Sequence, residues 1–196
     1  MIKEYDLDYN SFVGGWYIPE KVCDDLIELF QSSQDLWVNG RVGDPIKTDG
    51  VVDDKWKKST EMYIPPEEFI TLPTYLPHLS DCLDEYKKKF PHCNYVNSFT
   101  ITSNIKIQYY KPGEGFYKWH AENNGVKTVV NRHLVFMTYL NTLDDAGTEF
   151  YHQKITTPCQ KGLTIIWPAG WTHAHRGVTN HNSDKYIITG WYDFYE

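Results

Sequence analysis

The stretch WTHAHRGV, residues 171 to 178, sets His173 and His175 one residue apart. On an extended chain two such side chains share a face. Upstream, WHAENNG places His120 and Glu122 at i and i+2, so an imidazole and a carboxylate can reach one metal from a single strand end. Alone that pair means little, because eight histidines and 26 acidic residues in 196 positions generate roughly one His-x-acid by chance. It gains meaning from the histidines about fifty residues later and the cation on the strand that follows. Two imidazoles and one carboxylate fill one face of an octahedral ion and leave positions open for exogenous ligands, which suits Fe(II). The residue pattern alone leaves open whether His173 or His175 is the second imidazole.

Groups so far apart in sequence need a framework of strands to meet. The segment PEKVCDDLIELFQSSQ opens on Pro19 and aligns Val22, Leu26, Leu29 and Phe30 on one helical face. A second helix is predicted in PTYLPHLSDCLDEYKKKF, with Leu79, Cys82, Leu83, Tyr86 and Phe90 at helical spacing and lysines in its last turn. Between them, residues 39–58 are rich in Gly and Asp, a length of irregular chain that suggests a functional loop. From Ser98 the pattern changes to short strands: TITSNIKIQYY, RHLVFMTYLN, GTEFYHQ, GLTIIWP, THAHRGV and KYIITGWYDF. Turn signals at Pro112-Gly113, Asp144-Asp145, Pro168 to Gly170 and Asn180 to Asp184 separate them. The expectation is a mainly β fold with flanking N-terminal helices, a double-stranded β-helix or jelly roll. One domain is expected over 1–196, with helices, loop and edge strands in 1–97 and the jelly-roll core with its metal site in 98–196.

Composition narrows the function classes. A net charge of -7 without a basic stripe argues against nucleic-acid binding. No apolar run approaches the ~18 residues of a membrane span, and MIKEYDLDYN is too polar for a signal peptide. Cys23, Cys82, Cys93 and Cys159 form no CxxC pair, so they are expected to be ordinary thiols in a reducing, cytoplasmic setting.

These segments resemble the 2-oxoglutarate/Fe(II)-dependent oxygenases, in particular the prolyl-4-hydroxylase-like branch, over roughly residues 98 to 194. WPAGWTH is similar to the family's aromatic-Pro-x-x-Trp-x-His run, YYKPGEGFYKWHAEN to its Tyr-turn-His-x-Asp segment, and RHLVFMTYLN to its strand ending in Tyr-Leu-Asn. KYIITGWY is similar to the strand whose first basic residue grips the cosubstrate, and GTEF to a Gly-Gly-x-x-Phe turn with one glycine missing. The resemblance implies His120, Glu122 and His173 as metal ligands and as the catalytic centre. It implies Lys185 and Tyr139 on the far carboxylate of 2-oxoglutarate, Tyr110 as a further cosubstrate contact, and His175 beside the cosubstrate. Two departures stand out. Glu122 replaces the usual Asp, and Lys185 lies twelve residues after His173 but ten after His175, the latter being closer to the family's interval.

Strand alternation gives an independent expectation. Lys185, Ile187, Thr189 and Trp191 share one face, as do Val135, Met137 and Tyr139. A lysine among such neighbours is costly to bury without an anion, which a dicarboxylate cosubstrate would supply. The implied activity is a 2-oxoglutarate- and Fe(II)-dependent dioxygenase that hydroxylates an unactivated C–H, with a prolyl residue of a peptide or protein as the expected substrate. The same chemistry on a free amino acid or small metabolite is the alternative, and a non-catalytic jelly-roll binding module is the alternative of another class. Implied cofactors are Fe(II) and 2-oxoglutarate, with ascorbate as an auxiliary reductant and dioxygen as co-reactant. Neither nucleic acid nor membrane is an expected partner, and residues 39–58 are expected to form a substrate lid.

Overall fold

In the computed structural model, which describes residues 2–43 and 50–195, apolar alternation becomes strands buried on both faces. The order is β1 (Lys3–Tyr5), β2 (Gly14–Tyr17), α1 (Glu20–Ser32), β3 (Val38–Asn39), β4 (Lys57–Lys58), β5 (Thr60–Ile64), α2 (Tyr75–Lys89) and β6 (Phe99–Thr100). There follow β7 (Ile105–Tyr110), β8 (Gly115–Phe116), β9 (Arg132–Tyr139), β10 (Leu143–Phe150), β11 (Ile155–Cys159), β12 (Leu163–Pro168), β13 (His175–Gly177) and β14 (Lys185–Phe194). The major sheet runs β1-β2-β12-β9-β14-β7-β5-β3, with β6 paired to β14, and a minor sheet runs β11-β10-β13. Among the described residues all the strand pairings are antiparallel. This is the expected jelly roll.

Parity sorts the residues between two cores. Leu134, Phe136, Ile166, Ile188, Ile105 and Ile107 face α1 and α2, which bury Val22, Cys23, Leu26 and Phe30 and Tyr75, Leu79, Cys82 and Tyr86 against them. The alternate residues Val135, Met137, Tyr139, Ile165, Trp167, Ile187 and Trp191 form the second core with Ala146 and Phe150 of β10. Each fully buried aliphatic or aromatic side chain contributes roughly 1.5–3 kcal/mol by leaving water. The helices therefore back the major sheet and leave its other face to the site. Leu29 lies only partly buried at the edge of the helix stripe.

The turn resembling Gly-Gly-x-x-Phe shows why one glycine is kept. A Cβ on Gly147 would stand 1.6 Å from the Thr157 carbonyl oxygen, where β10 and β11 cross closely. Ala146, at the position of the missing glycine, is buried in the inner core. Of the anticipated lid, residues 44–49 lie outside the described residues. Its described flanks are tied down by the Val42–Val51 bridge and by pairing of β4 with β8. Among the described residues no helix is long and apolar enough to cross a membrane. The four cysteines are free thiols.

Candidate metal and cosubstrate site

His120 and His175 meet through a two-way backbone bridge. The His120 N–H donates to the His175 carbonyl at 3.0 Å, and the His175 N–H to the His120 carbonyl at 2.9 Å. Between the imidazoles lies Glu122, with its Oε1 3.5 Å from His120 Nε2 and 3.7 Å from His175 Nε2. The three ligand atoms lie within 4.8 Å of one another. Each imidazole is oriented from behind: Nδ1 of His120 faces the Lys118 carbonyl at 3.0 Å, and Nδ1 of His175 faces the His173 carbonyl at 2.9 Å. A carbonyl only accepts, so both Nδ1 atoms carry the proton and both Nε2 atoms present lone pairs. Phe116 stacks on His120 at 3.6 Å, and Trp167 packs edge-on to His175 at 5.0 Å.

Glu122 is held by its outer oxygen. Oε2 accepts from Arg132 Nη1 and from Trp191 Nε1, each at 3.0 Å, while the Arg132 guanidinium lies 3.6 Å over the Trp191 ring. This grip supports the extra methylene of glutamate and leaves Oε1 to the imidazoles. Burial raises the carboxyl's pKa, but the surroundings supplied by His120, His175 and the Arg132 guanidinium outweigh it and hold the group well below the usual carboxylate range. His120 is lowered, first by burial and then by the neighbouring His175. A carboxylate and two imidazole nitrogens that present lone pairs are donors a divalent metal requires. The donor set fits Fe(II).

His173 is not part of this cluster, which corrects its assignment as a ligand. Residues Trp171–His173 curl into a 3-10 turn, so the strand alternation that would align His173 with His175 begins only at His175. The His173 ring is spent elsewhere, with Nε2 3.0 Å from the Ser11 carbonyl and Nδ1 3.0 Å from the Thr172 hydroxyl. It ties the N-terminal segment to the turn.

The cluster opens onto a cavity of about 920 Å³ between the sheets. Lys185 lines it, 7% exposed, donating to the Ala146 carbonyl and, at 3.4 Å, to the Gly147 carbonyl, with its ammonium 5.6 Å from the Tyr139 ring. Burial pulls its pKa down to about 8. The Tyr139 hydroxyl is engaged at 2.7 Å by both Thr148 and Thr157, and it is Thr148 that reaches the cavity wall. Tyr110 donates to Gln108 at 2.9 Å, and Gln108 donates to Glu61 at 2.8 Å. Glu61 also accepts from Lys57, Ser59 and Tyr63, so this chain fastens β5 to β7 behind the cavity. Arg132, Trp191 and Thr148 lie inside the segments RHLVFMTYLN, KYIITGWY and GTEF, but no pattern there assigns them these contacts, and Glu61 lies in none of those segments. Alternation does place Trp191 and Tyr110 on the inner face.

This arrangement joins a metal-ready cluster to a cavity with a buried, carbonyl-bound lysine. Residues 105–193 match the 2OG-Fe(II) oxygenase superfamily. Among solved structures, the chain is similar to a viral collagen prolyl hydroxylase of Paramecium Bursaria Chlorella virus-1 in its 2OG complex. That match has 16% identity and a TM-score of 0.67, covering 94% of this chain and 97% of the other. A prolyl-4-hydroxylase of Pseudomonas putida matches at 11% identity and TM-score 0.66, covering 94% and 93%. A Trichoplax adhaerens prolyl hydroxylase, solved with a hypoxia inducible factor oxygen degradation domain peptide fragment, matches at 18% and 0.64, covering 88% and 76%. No curated protein gives a significant match. The matched segment contains His120, Glu122, His175 and Lys185, that family implies Fe(II) and 2-oxoglutarate, and the solved structures share this chain's fold.

Proposed function

We propose that residues 1–196 act as one catalytic domain, a cytoplasmic Fe(II)- and 2-oxoglutarate-dependent dioxygenase that hydroxylates an unactivated C–H of a prolyl or related substrate. His120, Glu122 and His175 hold the metal. Bound there, Fe(II) with 2-oxoglutarate and dioxygen supplies the oxidative decarboxylation to succinate that drives hydroxylation, with ascorbate as auxiliary reductant. The chain supplies orientation. Lys185 pairs the far carboxylate of 2-oxoglutarate, exchanging its two carbonyl contacts for an anion. Thr148, held by Tyr139, offers that carboxylate a hydroxyl, and Tyr110, held by Gln108, closes the same end. Arg132 and Trp191 keep Glu122 Oε2 occupied so that only Oε1 turns to the metal. The inner-core aromatics limit water around the reacting positions.

The observation that carries this reading is the convergence of two backbone-oriented Nε2 lone pairs on one carboxylate oxygen. The prolyl substrate class draws support from the prolyl hydroxylases whose fold this chain shares. The test is anaerobic addition of Fe(II) and 2-oxoglutarate to the apo protein, followed by oxygen. A weak visible charge-transfer band and then succinate are expected. Neither appearing would leave a non-catalytic jelly-roll module as the better account.

A further inference from the structure

The inner face of β7 carries Lys106, Gln108 and Tyr110, of which Gln108 and Tyr110 are tied into the Glu61 chain. Lys106 is not. Its ammonium lies 4.9 Å from the Tyr63 ring and 5.0 Å from the Trp191 ring, and it has no hydrogen bond or ion pair among the described residues. Its neighbours in the cavity are all partnered: Lys57 with Glu61, Arg132 with Glu122, and Lys185 with two carbonyls. Glu61 is turned to other donors, with Lys57, Ser59 and Gln108 on Oε1 and Tyr63 on Oε2, so it acts on Lys106 through its charge and not through a contact.

An ammonium held half-buried against two rings in this way is poorly solvated. Contacts with two ring faces return only part of the lost hydration and satisfy none of its three N–H donors. Burial draws its pKa down to about 8 despite the opposing charge of Glu61, so it remains a cation at neutral pH. Lys106 lines the cavity, so its open side faces space where a ligand can lie.

The cosubstrate cannot be the missing partner. Lys106 stands opposite Thr189 in the β7–β14 register, whereas Lys185 stands opposite Tyr110. Four residues of strand separate the two positions, about 13 Å. The ammonium groups also contact different walls, the Tyr139 and β10 side for Lys185 and the Tyr63 and Trp191 side for Lys106. Trp191 links Lys106 to the metal cluster, since the same indole donates to Glu122. An anion on Lys106 would therefore lie beside the Trp191 flank of the cluster and away from the Lys185 end.

We propose that Lys106 is the anion-binding end of the substrate subsite, and that the substrate carries a carboxylate paired by this ammonium while its reacting C–H faces the metal cluster. The inference rests on the proposed dioxygenase function and narrows its substrate class. Tyr63 and Trp191 flank the carboxylate, and Arg132 adds positive potential from behind the Trp191 ring. The carboxylate can belong to a free amino acid or to the C-terminus of a peptide.

The test uses the full chain loaded with Zn(II), which is unreactive, and 2-oxoglutarate, with binding read by calorimetry. The probes are the twenty L-amino acids and acetyl-Ala-Pro, each as the free acid and as the carboxamide. At least one acid is expected to bind, with its carboxamide weaker by about ten- to hundredfold. Lys106→Met should bring the acid to the carboxamide's affinity, Lys106→Arg should restore part of it, and 2-oxoglutarate should bind both variants as it binds wild type. A preference for free amino acids identifies a small-molecule substrate, and a preference for acetyl-Ala-Pro acid a peptide terminus. No acid binding, equal binding of acid and amide, or an acid preference that survives Lys106→Met would overturn the proposal. Failure of the wild type to retain 2-oxoglutarate, measured first and separately, would instead refute the dioxygenase reading.

Discussion

Replacing Lys185 by methionine should weaken cosubstrate binding and at the same time stabilise the apo protein. A folded pKa of about 8 against the ordinary 10.5 amounts to about 3 kcal/mol of penalty on the charged form. Methionine removes that penalty but forfeits the contacts to the Ala146 and Gly147 carbonyls, at roughly 0.5–1.5 kcal/mol each. The net expectation at pH 7 is a variant more stable by about 1–2 kcal/mol, a rise in Tm of about 3–6 °C for a chain of this size. Because the folded pKa is depressed, the penalty is present in full below pH 8. It fades between pH 8 and 10.5, where the unfolded chain holds the extra proton, so stability rises with pH across that window. Lys106 adds a similar rise in the same window, so Lys185→Met should keep only part of it. Affinity for 2-oxoglutarate, which needs the ammonium, should fall in wild type above pH 8 by up to about tenfold per pH unit. At pH 7 the variant should bind 2-oxoglutarate about thirtyfold more weakly or worse, since one partner of a buried charge pair is gone. Thermal melts across pH and calorimetric Kd values supply the readout. A variant less stable than wild type at pH 7, with its cosubstrate affinity intact, would refute the reasoning.

Two further outcomes follow from contacts around the cluster. Arg132→Met should lower metal affinity by about ten- to hundredfold in a competition titration, because Glu122 Oε2 loses a donor and turns away from its present orientation. An unchanged affinity would show that Trp191 alone holds the carboxylate. Gly147→Ala should cost more than about 3 kcal/mol of stability in denaturant melts, because its Cβ would overlap the Thr157 carbonyl. A mild effect would mean that β10 and β11 separate easily.

The helices and the inner face were legible because both follow from short-range periodicity. Val22, Leu26 and Phe30 repeat at helical spacing, and Lys185, Ile187, Thr189 and Trp191 alternate as a strand must. The same alternation set Lys106 on the face of Tyr110, yet a lysine near a strand start reads as solvated until its enclosing walls are known. The strand β11 was missed because Pro158 breaks its pattern, and it lies at the edge of the minor sheet, where a proline is tolerated. His173 is what the resemblance of WPAGWTH to the family's run implies, and that run says nothing of the local backbone. The chain instead makes a 3-10 turn there, and the ten-residue interval from His175 to Lys185 was the better signal. The grip of Arg132 and Trp191 on Glu122 joins β9 and β14 to a loop, a long-range meeting that no local pattern announces.

The assignment of the metal to His120, Glu122 and His175 is tested most directly by titrating Fe(II) and 2-oxoglutarate anaerobically into wild type, His173→Ala and His175→Ala. The visible charge-transfer band should form in wild type and in His173→Ala, which loses only its ties to Ser11 and Thr172 and melts somewhat lower. It should be absent in His175→Ala while that protein remains folded. A band that survives in His175→Ala and disappears in His173→Ala would contradict the account.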